Sequence, residues 1–195
     1  MHQFADDPIL TAGFEYWRNL PKEAGVPDRR DVDPPQMPRI ILPNVALLEI
    51  VDDCADAQIR LAGQEFDDNF GFSLKGKKTS ELTEGAYRDY MLGHVRTLVD
   101  SRQPIYSESA FRWDQGGQLR TRRILMPLSH GQPDVIAMIF KIQNLAAGAN
   151  ARFAVLRGDR GRRAFKPFRT ANGRGEGKLA FESMQDWGLA LPGSD

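Results

Sequence analysis

Residues that could bind a metal are few and widely spaced in this chain. Its three histidines, His2, His94 and His130, lack the i, i+4 spacing that places two imidazoles on one face of a zinc-binding helix. Cys54 is the single cysteine, so it can form neither an intrachain disulfide nor a cysteine-based cluster. The acidic residues of segment 52–56 lack the spacing of a calcium-binding EF-hand loop. We therefore predict that the chain has no metal centre.

Three arginines that lie close together offer a different chemistry, the binding of an anion. Arg120, Arg122 and Arg123 fall on one predicted strand, where alternation places the first two on one face and Arg123 on the other. An arginine that points inward could bind a carboxylate or a phosphate through its paired donors. The ordinary alternative is that these arginines lie on the exposed face of a sheet. The sequence leaves both alternatives open.

Motifs of well-known catalytic sites are absent from the sequence. The chain contains no G-x-S-x-G elbow, no phosphate-binding P-loop and no H-E-x-x-H zinc motif. Glu108 and Asp114 could act as a carboxylate pair only if a sheet brought them together in a pocket. We therefore predict that the chain is not an enzyme. An enzyme that transfers protons in a helix-lined cavity is the alternative.

The elements that would position these residues follow from hydrophobic periodicity. Asp7 and Pro8 predict the start of a helix, and Leu10, Phe14 and Trp17 recur on one face of it. A short helix is predicted after the second strand and a longer one before the third. Runs of β-branched and apolar residues predict five strands, at 45–51, 58–61, 105–113, 119–128 and 135–143. This order predicts an α+β fold with helices gathered on one face of an antiparallel sheet.

His94 lies in the longer predicted helix, which spans residues 86–101. Tyr87, Met91 and Leu98 belong to the apolar stripe of this helix. At 100° per residue, His94 falls between Tyr87 and Leu98 on the inward face. It is therefore either a ligand-binding residue or a half-buried histidine with a hydrogen bond.

Composition divides the chain into three parts. Residues 1–38 contain the first helix and a proline-rich connector, and residues 39–144 contain the dense pattern of strands and helices. Residues 145–195 carry nine basic and five acidic residues, although the whole chain has no net charge. We predict that this third part is a mobile tail rich in glycine and arginine, with a weak helix over residues 181–187.

The basic tail could contact nucleic acid or a membrane surface. Phe165 and Phe168 interleave with a basic cluster and could stack on bases or lie at a lipid surface. The cluster comprises Arg157, Arg160, Arg162, Arg163, Lys166 and Arg169. The glycine content of the segment favours a solvated extension instead, so we predict no nucleic-acid partner.

The beginning of the chain resembles no secretory signal. Asp6 and Asp7 stand where a signal peptide has a basic run and an apolar stretch. No window of the sequence approaches the ~20 apolar residues that a membrane-spanning helix needs. We therefore predict a cytoplasmic protein without a membrane span.

A set of short motifs recurs in a characteristic order over about residues 14–144. They are Tyr16-Trp17-Arg18, Asp31-Val32-Asp33-Pro34, Met37-Pro38-Arg39-Ile40, Leu47-Leu48-Glu49-Ile50, Arg60-Leu61-Ala62-Gly63, Phe70-Gly71, Leu74-Lys75-Gly76-Lys77, Pro104-Ile105-Tyr106 and Leu125-Met126-Pro127-Leu128. In their order and spacing, the motifs resemble a family of small stand-alone bacterial PAS proteins.

The resemblance implies the PAS fold, in which a five-stranded antiparallel sheet curls around the long helix. A small ligand would occupy a cavity between sheet and helix, and the candidate pocket residues are Tyr87, Met91, His94, Leu98, Arg122 and Met126. PAS domains commonly pair through an amphipathic helix before the first strand. Leu10, Phe14 and Trp17 are therefore candidate residues of a homodimer interface.

The resemblance assigns no cofactor. Some PAS sensors bind haem iron through a histidine on the equivalent helix, but His94 is all that the sequence offers to iron. Light-sensing PAS domains place a reactive cysteine in a helical motif, whereas Cys54 lies in a predicted turn. Both observations argue against haem and flavin. We predict a sensory or adaptor protein that signals through contacts with a partner protein, gated by a small ligand.

Overall fold

A computed structural model describes most of the chain. The described residues are 4–22, 25–53, 55–70, 72–83, 85–113, 118–129, 135–144, 154–155, 165–166, 169–170, 173–174 and 179–188.

Antiparallel strands form the central sheet. Its members are β1 (Val45–Val51), β2 (Asp56–Ala62), β3 (Ile105–Trp113), β4 (Gln118–Leu128), β5 (Val135–Asn144) and β10 (Leu179–Gly188). They lie in the order β10-β3-β4-β5-β1-β2, and each neighbouring pair is antiparallel. Two short hairpins pair β6 (Ala154–Val155) with β7 (Phe165–Lys166), and β8 (Arg169–Thr170) with β9 (Gly173–Arg174).

Helices occupy the stretches before β1 and between β2 and β3. They are α1 (Pro8–Asn19), α2 (Gln64–Phe70), α3 (Thr79–Leu82) and α4 (Gly85–Ser101). Two 3-10 turns, Arg29–Asp31 and Pro34–Gln36, lie in the proline-rich connector, and a third, Leu42–Asn44, directly precedes β1. The predicted α+β class is confirmed, together with the positions of the first helix, the long helix and five strands.

The first helix is built as its sequence predicts. The Asp7 carboxylate accepts hydrogen bonds from the backbone amides of Ile9 and Leu10, at 2.9 and 3.2 Å, and Pro8 occupies the first turn. Apolar residues at helical spacing bury one face of α1 against the sheet. This first core cluster includes Leu10, Phe14, Trp17, Val45, Leu47, Tyr106, Ile124, Met126 and Leu128.

The other helices pack on the opposite face of the same sheet. There α2 and α4 bury Phe66, Val95 and Leu98 against the second core cluster, whose strand residues include Ala46, Leu48, Ile50, Ala57, Ile59, Ile105 and Leu125. The helices between the second and third strands therefore gather on one face as predicted, and the separately predicted N-terminal helix α1 covers the other face. Because β1 is apolar at both odd and even positions, its two faces each need a covering layer.

The segment 179–188 is a strand, so the prediction of a helix over 181–187 is wrong. β10 pairs with β3 from Leu179 opposite Trp113 to Gly188 opposite Ile105, which gives the sheet six strands instead of five. β10 pairs with the backbone N–H and C=O groups along the outer edge of β3. Local sequence patterns do not reveal this pairing.

The basic cluster of the predicted tail is only partly described. Lys166 and Arg169 lie in the short hairpins, whereas Arg157, Arg160, Arg162 and Arg163 fall outside the described residues.

The turn between β2 and α2 depends on the absence of a side chain at Gly63. Its amide donates to the carbonyl oxygen of Val45 at 2.8 Å. A Cβ atom at this position would lie 2.4 Å from the backbone oxygens of both Leu42 and Pro43. This close approach of two backbone segments requires glycine.

No helix in the described ranges is long and apolar enough to cross a membrane.

Candidate functional site

The strand β4 carries two neighbouring buried arginines that point to opposite faces of the sheet. Arg122 is directed to the face covered by α1, and Arg123 is directed to the face covered by α4. Their exposed fractions are 6% and 0%. Two buried positive charges at consecutive positions are unusual in a strand, because arginine is rarely fully buried without partners. The two sides of the sheet are therefore described in turn.

On the α4 side, hydroxyl groups surround the guanidinium of Arg123. Its Nη1 donates to Ser107 Oγ at 3.3 Å, and its Nη2 donates to Ser109 Oγ at 2.8 Å and to Thr121 Oγ1. All three hydroxyl residues are buried. They face Arg123 because β3 and β4 pair Ser107 with Arg123 and Ser109 with Thr121. We call Arg123, Ser107, Ser109, Thr121 and His94 the inner polar site.

Side chains of α4 cover the inner polar site. Met91 Sδ lies 3.2 Å from Arg123 Nη1, and the centroid of the Tyr87 ring lies 5.8 Å from Arg123 Cζ. The Tyr90 ring meets the His94 imidazole edge-on, with centroids 4.3 Å apart. Tyr87, Tyr90 and Met91 are half-buried, whereas His94 is buried. The site is therefore deepest at the middle of α4 and nearest to solvent at its first turns.

The imidazole of His94 is held neutral. Burial disfavours its charged form, and the positive charge of Arg123 acts in the same direction, so the pKa of His94 falls to about 3. At neutral pH the ring can donate one hydrogen bond and accept another. The inner polar site thus combines one permanent cation with a neutral imidazole and several hydroxyl groups.

Acid should destabilise the protein through His94. Because the pKa of His94 is lower in the folded chain than the ordinary 6.5, the unfolded state binds the extra proton first as the pH falls. We expect His94 to lower the free energy of unfolding by about 2 kcal/mol between pH 8 and pH 5. Urea unfolding of the wild type and of His94→Leu at both pH values measures this, because leucine does not titrate.

The loss of stability in His94→Leu is subtracted from the loss in the wild type. This subtraction removes the contribution of acidic groups that titrate in the same pH range. Equal losses of stability in the wild type and in His94→Leu would show that His94 is not buried as a neutral ring.

On the α1 side, Arg122 joins the N-terminal segment to the sheet. Its Nη2 lies 2.7 Å from Asp6 Oδ1, its Nη1 lies 3.8 Å from Asp7 Oδ2, and its Nε donates to the hydroxyl of Tyr106 at 2.8 Å. That hydroxyl in turn donates to the Glu108 carboxylate. We call Arg122, Asp6, Asp7, Tyr106 and Glu108 the outer ionic network.

Contacts within the outer ionic network shift the pKa values of three of its members. The hydrogen bond from Arg122 holds the pKa of Asp6 below its usual value. Burial opposes the charge of Arg122, but its bonds to Asp6 and Tyr106 prevail and raise its pKa. Burial and the bond to Glu108 raise the pKa of Tyr106 to about 12. At neutral pH the phenol is therefore a hydrogen-bond donor between a cation and a carboxylate.

The structure divides the six predicted pocket residues between the two faces. Tyr87, Met91, His94 and Leu98 lie on the α4 side as expected. Arg122 and Met126 lie on the α1 side, so their assignment to the same pocket is wrong.

Strand parity explains the error in the predicted pocket. Even-numbered residues of β4 face α1, and odd-numbered residues face α4. Arg123 is the arginine that belongs with His94, and alternation in the sequence already separated it from Arg122. Which face α4 covers was not visible in the sequence.

Met126 lines a small apolar cavity on the α1 side. The cavity has a volume of about 20 Å³ and is lined only by apolar surface, including Trp17, Leu47 and Ile41. A space of this size holds one water molecule at most, and an apolar lining offers that water no partners. The cavity is therefore a packing defect and not a ligand site.

The three residues predicted for a homodimer interface are used within the chain. Leu10, Phe14 and Trp17 are at most 2% exposed, and the indole Nε1 of Trp17 donates to the carbonyl oxygen of Pro127 at 2.8 Å. In this arrangement α1 presents these side chains to its own sheet and not to a second copy. An interface that used them would require α1 to leave the sheet.

The remaining candidate residues lie only partly within the described part of the chain. Glu108 belongs to the outer ionic network, and Asp114, its proposed catalytic partner, falls outside the described residues, as does Cys54. Within the part of the chain that is described, no group of three or more histidine, cysteine, aspartate or glutamate residues could hold a metal ion.

Comparison with known families identifies the fold. A family model for the PAS domain matches residues 6–140, about two thirds of the chain, and the chain belongs to the PAS domain family. The family predicted from the sequence motifs is thereby confirmed. The match includes α1 and the outer ionic network and ends within β5, so β10 lies outside it. No curated protein and no solved structure matches the chain.

PAS domains in general serve in sensing and in protein interactions, and they are typically not enzymes. Membership in the family therefore gives a sensory or interaction role in general terms.

Proposed function

We propose that this protein is a cytoplasmic sensory or adaptor module that passes a signal to a partner protein through its surface contacts. The inner polar site is its input side, and the N-terminal segment with α1 is its output side. The observation that carries the proposal is the interleaving of the two networks on β3 and β4. Successive residues of each strand alternate between the inner polar site and the outer ionic network.

The input side has properties of a site that responds to a change in its occupant. Arg123 and His94 are buried, yet the first turns of α4 that cover them are only half-buried. Elements that move on ligand binding are commonly those with less buried contact area. A small ligand that prefers one position of α4 would shift the population of that position.

Glu108 connects the two sides most directly. Its backbone carbonyl accepts a hydrogen bond from the hydroxyl of Tyr90 on α4, at 3.4 Å. Its side chain accepts a hydrogen bond from Tyr106 and lies 3.6 Å from Arg122 Nε on the other face. A displacement of α4 that pulls on this carbonyl therefore changes the position of a carboxylate in the outer ionic network.

The output side is held by a small number of contacts that such a displacement could weaken. Phe4 packs against the rings of Phe14 and Tyr106, with centroids 5.5 and 5.4 Å away. Asp6 and Asp7 bind Arg122. Release of this segment would expose apolar sheet surface around Tyr106, which a partner protein could cover.

Hydrogen exchange tests this coupling. We expect Arg123→Met to increase exchange of the amides of Ile9, Leu10 and Thr11 by about fivefold or more, beyond any change in the amides of β1. A fivefold change corresponds to a coupling free energy of about 1 kcal/mol, within the usual range for linked sites. The β1 amides report global stability, so the comparison separates local opening from general destabilisation.

Arg60→Met is the matched control. Arg60 is an exposed arginine of the same sheet, and it pairs with Glu49 at the surface. Its replacement should leave exchange in α1 unchanged. If Arg123→Met also leaves these amides unchanged, the two faces are not coupled and the proposed signalling route is wrong.

A further inference from the structure

We propose that the surface beneath the N-terminal segment binds an exposed segment of a partner protein in which an aromatic residue stands two positions before an acidic residue. We call this surface, formed by Phe14, Tyr106 and Arg122, the segment-binding site. Residues 4–6 of the chain itself occupy it in the structure. The inference rests on the proposed function, because it names the chemistry of the partner that meets the output side.

The aromatic half of the segment-binding site holds the ring of Phe4. This side chain is 1% exposed, and its ring meets that of Phe14 edge-on, with centroids 5.5 Å apart. The centroid of the Tyr106 ring lies 5.4 Å away on another side. Such aromatic pairs contribute more than the apolar area that they bury. An aromatic side chain therefore fits this position better than an aliphatic one.

The charged half of the segment-binding site is Arg122, which holds the carboxylate of Asp6 with two nitrogen atoms. The distances are 2.7 Å from Nη2 to Oδ1 and 3.3 Å from Nη1 to Oδ2. Paired contacts of this kind match a planar carboxylate. The side chain of Asp6 is 73% exposed, whereas that of Arg122 is 7% exposed. The carboxylate of Asp6 therefore lies at the surface over a buried cation, where an incoming carboxylate can replace it.

A turn sets the spacing between the two contacts. The amide of Asp7 donates to the carbonyl oxygen of Phe4 at 2.9 Å, which closes residues 4–7 into a turn. The ring of Phe4 and the carboxylate of Asp6 thereby reach the same surface. The pattern that the site recognises is an aromatic residue, any residue and then an acidic residue, in a turn.

Residues 4–6 can leave the site while α1 stays in place. The cap of α1 is Asp7, and Leu10 and Trp17 bury the helix against the sheet. These three residues follow the segment that is exchanged. Exchange therefore requires the local opening of a short segment, which costs less free energy than global unfolding.

The charges around Arg122 favour a carboxylate over a phosphate group. The carboxylates of Asp7 and Glu108 lie 3.8 and 3.6 Å from the guanidinium nitrogens, and both remain when residues 4–6 leave. A phosphate group would bring nearly two negative charges beside them. A single carboxylate replaces the charge of Asp6 and leaves the local balance of charge unchanged.

Peptide binding to a chain with a vacated site tests the inference. Phe4→Ala in the full chain removes the resident ring, and the probe is a capped peptide with the sequence of residues 4–7, Phe-Ala-Asp-Asp. Binding is followed by amide chemical shifts and by the midpoint of thermal unfolding. We expect a dissociation constant on the order of a millimolar or below. The wild type should bind about tenfold more weakly or worse, because its own segment competes at a high effective concentration.

Altered peptides test each half of the site without changing the sheet. Alanine in place of the phenylalanine should weaken binding by about tenfold or more, since truncation of a buried aromatic anchor removes most of the binding. Asparagine in place of the first aspartate should weaken binding by about fivefold or more. Asparagine in place of the second should weaken it less, because Asp7 of the chain stays in place. The reordered peptide Asp-Phe-Asp-Ala should bind as weakly as the alanine peptide.

Further variants of the full chain locate the binding. Asp6→Ala loosens the resident segment but keeps the ring of Phe4 in the core, so it should fold and should bind the peptide more tightly than the wild type. In the Phe4→Ala chain, Arg122→Lys should weaken binding, because lysine lacks the paired donors. Arg60→Met in the same chain is the control and should leave binding unchanged, since Arg60 is exposed on β2.

Several outcomes would overturn the inference. Equal binding of all the peptides, or chemical-shift changes confined to α4, would show that the segment-binding site is not used. Tighter binding of a peptide with phosphoserine at the first acidic position would show that the ligand class is wrong. A wild-type dimer in light scattering that Phe4→Ala abolishes would assign the site to a second copy of the chain. The effect of Arg123→Met on exchange in α1 needs no peptide, so it decides the proposed function separately.

Discussion

Replacing Trp17 with alanine is expected to lower the free energy of unfolding by about 3–5 kcal/mol, the usual range for a buried tryptophan. The side chain is 2% exposed, and its ring stacks on Phe14 with centroids 6.3 Å apart. It also supplies a hydrogen bond of 2.8 Å to the carbonyl oxygen of Pro127. Alanine would leave a large cavity between α1 and the sheet and would leave that carbonyl without its donor.

Urea unfolding monitored by circular dichroism measures this effect, and Trp17→Phe serves as the graded control. Phenylalanine retains most of the apolar volume but cannot donate to Pro127, so we expect a loss of about 1–3 kcal/mol. Light scattering should give the same mass for both variants as for the wild type, since Trp17 faces its own sheet.

The opposite pattern would restore the homodimer interface predicted from the sequence. If Trp17→Ala halves the mass in solution and leaves the stability of the separated chain unchanged, α1 belongs to an interface between two copies. The position of α1 on its own sheet would then be wrong.

Replacing Arg122 with methionine is expected to lower the free energy of unfolding by about 3 kcal/mol, because removing one partner of a buried ion pair leaves the other charge buried. Three carboxylates, those of Asp6, Asp7 and Glu108, lie within 4 Å of the guanidinium. Asp7 is 4% exposed and caps α1, so it cannot turn to solvent without losing the cap. The loss should therefore exceed that of an exposed pair.

Arg60→Met again gives the comparison, since its surface pair with Glu49 should contribute less than about 1 kcal/mol.

Urea unfolding at pH 7 and at pH 3 adds a second criterion. Arg122 lowers the pKa of Asp6, so its stabilising effect is present above the unfolded pKa of that carboxyl and is lost as the pH falls below it. The penalty of Arg122→Met should shrink in acid. A penalty no larger than that of Arg60→Met at pH 7 would contradict the buried network.

Local patterns in the sequence predicted most of the elements that build the fold. The helix after Asp7 and the strand at residues 45–51 begin where the cap and the β-branched run predict. These features depend on interactions between residues close in the chain, namely capping and side-chain periodicity. The same kind of reasoning failed at residues 181–187, because β10 exists through its pairing with β3, about 70 residues away in the chain.

The candidate site was predictable in part. Helical spacing placed Tyr87, Met91, His94 and Leu98 on one inward face, and strand alternation separated Arg122 from Arg123. Neither pattern shows which strand face meets α4, so Arg122 was assigned to the pocket in place of Arg123. That assignment depends on packing between α4 and the sheet, which joins residues distant in sequence.

By itself, the sequence determined the family, most of the elements and the alternation of side chains along each strand, since these depend on residue types and their local spacing. Only the tertiary structure decided that α1 and α4 cover opposite faces of the sheet, and therefore that neighbouring arginines belong to two different networks. The reason is physical: a strand that is apolar on both faces is compatible with either arrangement until the covering helices choose their sides.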